Sequence, residues 1–447
     1  MKELEVYKSI MTCLPEGIRE AEVEAERNDR IVAGITGREL SGMSASDKTA
    51  IFVRVTGTKT GMTYTQNLDA DPVQVLLEAL HNSEFVQEDK LETMNPANSS
   101  HQEELEHDPI DLLIEKAGKL ENTVRALVSE AKHIAVKVSE NLRTTGIVNS
   151  HGLDRTFTKR ICEAELSITC EKGMPRSLEL ETSAASVEEL SMDYFTDKIQ
   201  EWLLLPMNSC SFSPAELPAV LNGSVICNIL LTAWQMFSAD QYLKQSTPFY
   251  GQLGVKRFPD IITLSDLPED KTAGYGRQFD CEGTSSVRVD VIKKGRIQAL
   301  MHNLSTAERT GEVSTGNAGR DVNLISDQTD CRVIPSNFTL QQGQNTKKEL
   351  LAQLSDGIYI DESFDMFHSV NTASGDFSIP CKGIIYRDGQ PVGRVDGITM
   401  NGTIQELLEN ITMIANDKTT VSMVMSKSFA IAAPSILVSK LRVSGNQ

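Results

Sequence analysis

A protein zinc site needs three or four His, Cys, Asp or Glu side chains converging at about 2.1 Å on one ion. The nearest approach to such a cluster here is His101 and His107 with Glu103, Glu104 and Glu106. On a helix, six residues turn the side-chain direction by about 240°, and on a strand they separate the rings by about 20 Å. Neither geometry brings both imidazoles to one ion, so these are read as solvated loop histidines. His81 and His133 are read as surface or cap residues. No His is followed by Glu, so the His-Glu-x-x-His pattern that sets two imidazoles and a general base on one helical face is absent.

Other reactive patterns fail as well. There is no Gly-x-x-x-x-Gly-Lys phosphate loop, no Gly-x-Gly-x-x-Gly turn and no Gly-x-Ser-x-Gly elbow. His368-Ser369 and Ser374-Gly375-Asp376 contain the residue types of a Ser/His/Asp triad, but no strained nucleophile turn surrounds either serine. Eight cysteines are scattered without a Cys-x-x-Cys spacing. They read as buried thiols of a reducing compartment.

The 447 residues carry 62 acidic and 43 basic side chains, a net charge of −19, which repels phosphate backbones and excludes direct nucleic-acid binding. Residues 71 to 130 alone contribute a net of −10, read as a solvated flank. The N-terminus lacks an apolar leader, and the longest apolar run, Phe429 to Val438, is too short to span a bilayer. A cytoplasmic protein is expected.

Elements that would position any site follow an α+β pattern. Asp71-Pro72 and Asp108-Pro109 open helices, each Asp capping and each Pro in the first turn. Glu84 to His107 reads as an acidic loop. Ile134, Val136 and Val138 form a strand, with Thr145-Gly146 as a turn leading back through Ile147 and Val148; Phe157 to Ile168 adds more sheet. A boundary near Trp202 to Ser213 divides the chain into residues 1–205, an α+β unit, and 206–447, a β-rich unit. Ser213-Pro214-Ala215-Glu216 reads as a capping box opening a helix that runs, with a break, to about Phe237. Val287, Val289 and Val291 precede a Lys294-Gly295 turn, and Ile384 to Tyr386 meets an Asp388-Gly389 hairpin. Thr403 and Glu406 cap a helix with Ile404, Leu407, Leu408, Ile411 and Ile414 on one face.

Several segments, in order, resemble the TldD/PmbA family, historically called modulators of DNA gyrase. They are Asn149-Ser150-His151-Gly152, Asp280-Cys281-Glu282-Gly283-Thr284, Ser314-Thr315-Gly316-Asn317-Ala318-Gly319, Ser374-Gly375-Asp376-Phe377-Ser378 with Gly383, Gly397 to Thr403, and Asn416-Asp417. The resemblance covers almost the whole chain and implies a two-domain TldD/PmbA-like fold. In that family the TldD branch carries a His-Glu-x-x-x-His zinc helix, and the PmbA branch, also called TldE, lacks it. The corresponding window here is Asn222-Gly223-Ser224-Val225-Ile226-Cys227, which holds neither His nor Glu. Cys227 and Cys381 are read as structural. The acidic loop and the long segment Pro218 to Ser246 depart from the family pattern.

The resemblance therefore implies a subunit with no metal ligands, no cofactor and no catalytic residues of its own. Its expected partner is a TldD-like zinc peptidase, or a second copy of itself as a homodimer, and its substrates are unfolded peptides. Ser314, Thr315, Gly316, Asn317, Gly375, Asp376, Phe377 and Ser378 are the residues expected to face the peptide groove or the partner. Their alternative reading is turns between strands. Two rival functions remain: a stand-alone hydrolase built around His151, His368 or Asp376, and a non-enzymatic regulator of a topoisomerase or another protein.

Overall fold

The computed structural model describes residues 1–86, 93–102, 105–171, 176–206, 208–270, 276–320, 331–365, 368–422 and 429–445. It is an α+β protein. The N-terminal half is built on a seven-stranded sheet in the order 60–65, 39–56, 20–36, 131–149, 153–170, 98–101, with 176–184 also paired to 153–170. Four of its strands are long, and their alternation decides everything around them. Along Glu20–Thr36, Ala21, Val23, Ala25, Ala33 and Ile35 point to one face, which helices Lys2–Met11, Pro72–Asn82 and Ile110–Leu127 cover. Glu22, Glu24 and Glu26 point to the other.

Asp71 caps its helix as the sequence predicts, its carboxylate accepting from the Val73 amide at 3.0 Å. Asp108 does not: its amide donates to Glu140 and its side chain pairs with Arg160, while Pro109 occupies the cap position. The expected turn at Thr145-Gly146 is absent, because residues 131–149 form one continuous strand. Gly146 is instead the point where the helix at the N-terminus presses on the sheet: a Cβ there would lie 2.6 Å from Leu4. The chain reverses at Ser150–Gly152, where Gly152 has φ of +88°. The acidic loop contains a strand, Asn98–His101, parallel to 153–170; part of that loop, including Glu103 and Glu104, lies outside the described residues.

In the C-terminal half, strands 390–403, 376–387, 357–363, 215–221 and 436–444 close into a barrel, since 390–403 pairs with both 376–387 and 436–444. A second, six-stranded sheet runs 296–297, 289–293, 264–266, 337–340, 430–433, 419–422. Helix Gly223–Ala233 contributes its buried side chains to a core shared by both sheets. The expected helix start at Ser213 is thus corrected: Ala215–Leu221 is a central barrel strand, and the helix begins at Gly223. Pro218 would break a helix there, and the unbroken apolar run from Leu217 to Leu221 suits a strand flanked on both edges.

The Lys294-Gly295 and Asp388-Gly389 turns appear as expected, all four residues having positive φ. The capping box at Thr403 and Glu406 also forms, but its helix ends at Glu409, and Ile411–Ile414 is a strand paired to 436–444. A bonding partner for the strand outweighs helical spacing once Asn410 terminates the turn. Among the described residues no helix is long and apolar enough to cross a membrane. Replacing Thr403 by Ala removes one side of the capping box and should lower stability by about 1 kcal/mol, measured as a shift of the urea midpoint at unchanged slope.

Candidate functional site

Three places gather the chemistry-bearing residues. The first lies where the polar face of the N-terminal sheet meets the turn at Asp280–Thr284. Arg54 pairs with Glu22 at 2.8 Å and with Glu282 at 3.7 Å, all three fully buried. Arg320 Nε donates to Glu24 at 2.8 Å. Arg155 donates to the Gly283 carbonyl at 2.8 Å and lies over the Phe279 ring, which meets Phe157 edge-on at 4.9 Å. Glu24, Phe52, Phe157, Lys159, Arg277 and Arg320 line a cavity of about 60 Å³ between these surfaces.

Burial sets the proton affinities here. It pushes the Glu24 carboxyl up to about 7 against the pull of Arg320. It also raises Asp280 and Glu282, each in spite of a neighbouring guanidinium. The Asp280 carboxylate accepts from the amides of Glu282, Thr284 and Ala318 at 2.9–3.0 Å, so it ties its own turn to the segment Ser314–Ala318.

That segment holds the first group of expected site residues. Asn317 is buried and donates to Asp266 at 2.7 Å, and Thr315 Oγ1 donates to the Asn317 side chain at 2.6 Å. Gly316 has φ of +68°, and a Cβ there would lie 2.5 Å from Ser286 Cα, so no other residue fits. The Ser314 and Thr315 hydroxyls are half-buried: Ser314 Oγ donates to the His302 carbonyl, and Thr315 Oγ1 accepts from the His302 amide at 2.8 Å.

The second place is the barrel mouth. Gly375 has φ of +87°, its amide donates to Asn371 and its carbonyl accepts from Ile404 at 2.8 Å. Ser374 Oγ donates to Asp376 at 2.5 Å, and Ser378 Oγ donates to Asn401 at 3.0 Å. Phe377 is buried and lines a cavity of about 50 Å³ with Asn401, Thr403, Glu406, Lys440 and Arg442. The two groups of expected residues adjoin different cavities, Ala318 and Gly319 lining the first and Phe377 the second.

The third place is the start of helix Gly223–Ala233. The Gly223 amide donates to Ser435, which Asp417 holds through its amide and hydroxyl. A Cβ on Gly223 would lie 2.7 Å from the Ala433 carbonyl, so the helix is seated as close to the sheet as backbone allows. Cys227 is fully buried, its thiol directed at the carbonyls of Thr419 and Ile431, and burial pushes that thiol up to about 12. Cys381 is likewise buried and pushed up to about 12 by burial.

The remaining candidates are dispersed. His101 approaches Asp154, whereas His107 lies 2.8 Å from Glu140 and 3.0 Å from Asp29, so the two rings share no neighbour. His151 meets Glu20, and His368 meets Asp365, not Ser369 or Ser374. Among the described residues no three His, Cys, Asp or Glu side chains are grouped to hold a metal ion.

The sequence matches the PmbA/TldA metallopeptidase C-terminal domain over residues 214–445, more than half of the chain. The chain belongs to the PmbA/TldD family. A metalloprotease PmbA homologue of Haemophilus influenzae is 23% identical over 67% of this chain and 62% of that protein. A PmbA homologue of Buchnera aphidicola is 28% identical over 47% of this chain, and the match spans 42% of that relative's length. The chain thus spans about two fifths to three fifths of the curated relatives it matches first. Its fold is that of TldE from Thermococcus kodakarensis, with a TM-score of 0.84 at 19% identity, covering 98% of this chain and all of that one.

Within this PmbA/TldD fold, two features escaped the sequence reading. His302 is buried beneath Ser314–Asn317, where its carbonyl holds the loop, and burial lowers its imidazole. Nothing in its neighbours, Met301 and Asn303, signals that role. The other feature was legible: Glu20-Ala21-Glu22-Val23-Glu24-Ala25-Glu26 alternates without a break, which on a strand covered on both faces buries carboxylates.

Arg320→Met should strand the Glu24 charge and destabilise the protein by about 3 kcal/mol in urea unfolding at pH 8. Because burial raises Glu24 from 4.5 to about 7, its contribution to stability is full below pH 4.5 and is lost as pH rises through 7. The wild-type melting temperature should fall from pH 5 to pH 8, and Glu24→Gln should flatten that slope.

Proposed function

We propose that this chain is a PmbA/TldE-type subunit, in two domains dividing near residue 205, that carries no zinc site and works in the cytoplasm with a TldD-like zinc peptidase on unfolded peptides. The observation that carries the reading is the Asn222–Cys227 window. In the zinc-bearing branch this stretch supplies two imidazoles and a carboxylate from one helix. Here it offers one thiol, buried and turned to main-chain carbonyls, and a metal needs that sulfur as a thiolate. The residues present do not fit a zinc ion.

What such a subunit can supply is enclosure and binding. Exposed sheet edges would hold an extended peptide by main-chain hydrogen bonds with little sequence preference. Of the expected residues, Ser314, Thr315, Asp376 and Ser378 reach solvent and are the ones offered to the peptide or the partner, the latter two beside the cavity at Phe377, while buried Gly316, Asn317, Gly375 and Phe377 shape the two loops. The match of TldD homologues to this chain supports a relative of the same build as that partner. Purified protein should hold well under one zinc per chain, should not cleave unfolded casein, and should stimulate cleavage when mixed with a TldD-like relative. Stoichiometric tightly bound zinc, or cleavage by the chain alone, overturns the reading.

A further inference from the structure

The cavity of about 60 Å³ between the two halves is lined by four cationic and three carboxylate side chains, and these do not all pair off. Arg320 Nε donates to Glu24 and Arg143 meets Glu26, each at 2.8 Å. Asp280 spends both carboxylate oxygens on the amides of Glu282, Thr284 and Ala318, so Arg277 feels its charge without bonding to it. Among the described residues Lys159 and Arg277 are therefore left without an ion pair. Lys159, on strand Leu153–Cys170, has the Gly276 carbonyl as its acceptor at 2.9 Å. Arg277 holds the carbonyls of Gly316 and Ile334 through one terminal nitrogen, and its Nε–H is buried with no acceptor. Burial without a bonded counter-ion pushes the Lys159 ammonium down to about 8. Phe52, Phe157, Ile161 and Phe279 give the same cavity an apolar wall.

We propose that this cavity binds a short-chain carboxylate, held by Lys159 from the N-terminal sheet and Arg277 from the C-terminal half, with its alkyl end against the apolar wall. In formal charge, four cations against three carboxylates leave an excess of one, which a monoanion cancels. A water occupies about 10–15 Å³ of such space, so 60 Å³ admits a ligand of about four to six heavy atoms, the size of acetate to isobutyrate. The donors without an acceptor number about three, two on the ammonium and one on the guanidinium, and these match the two oxygens of a carboxylate. A phosphate of the same size would turn its remaining oxygens to phenyl rings, where they lose water and gain no hydrogen bond. Because the two cations come from different halves of the chain, the bound carboxylate ties one half to the other.

Saturation-transfer NMR on the methyl groups of isobutyrate, added to the purified full chain, tests this without reference to zinc or peptidase activity, so its outcome is separate from that of the proposed function. Isobutyrate should bind, and isobutyramide, which has the same shape without the charge, should bind about tenfold more weakly. Acetate should displace isobutyrate at lower concentration than inorganic phosphate does. Lys159→Met, which keeps the stem and removes the charge, should weaken isobutyrate binding about tenfold or more, and Lys159→Arg should retain it. The comparison of ligands on the wild-type chain decides the matter even if Lys159→Met fails to fold. No saturation of isobutyrate, equal binding of isobutyramide, displacement by phosphate ahead of acetate, or a folded Lys159→Met variant that binds as wild type would overturn the proposal.

Discussion

The structure depends on one constraint: a sheet whose two faces are both covered, one by helices and the other by the second half of the chain. Because side chains alternate along Glu20–Thr36, covering both faces forces Glu22 and Glu24 out of water. Each buried carboxylate then needs a cation, and Arg54 and Arg320 supply them from two different parts of the chain. The pairs are weak evidence for stability, since desolvation offsets much of their attraction. Their strength lies in placement: a shifted half leaves charges unpaired, so the network admits one arrangement of Asp280–Thr284 against the sheet. That turn in turn holds Ala318 and, through it, the loop from Ser314.

Sequence reasoning succeeds where a local rule is also the global one. Asp71-Pro72, the Asp388-Gly389 hairpin and the Thr403/Glu406 box need only their neighbours, and all three form. It fails where a distant partner decides. Ser213 to Glu216 has the residues of a helix cap, but strands 357–363 and 436–444 flank the chain that follows and make it a strand. Gly146 looks like a turn until Leu4 arrives to fill the space where a Cβ would stand. The candidate residues show the same division. Their turn-forming character at Gly316 and Gly375 was legible, whereas their separation into two places and the buried His302 beneath one of them depend on contacts remote in sequence.

The same logic of what is buried governs the helix of the C-terminal half. The helix that begins at Gly223 is pressed against Ala433 and Thr419, and its single sulfur points into the protein. A helix so seated holds the barrel and the second sheet together through the core they share.

The most direct measurement is anomalous diffraction at the zinc edge from crystals of this chain in complex with a TldD-like relative. The account predicts a single peak per pair, coordinated by the relative's helix, with no peak near Cys227. A second peak, gripped by side chains of this chain, would contradict it.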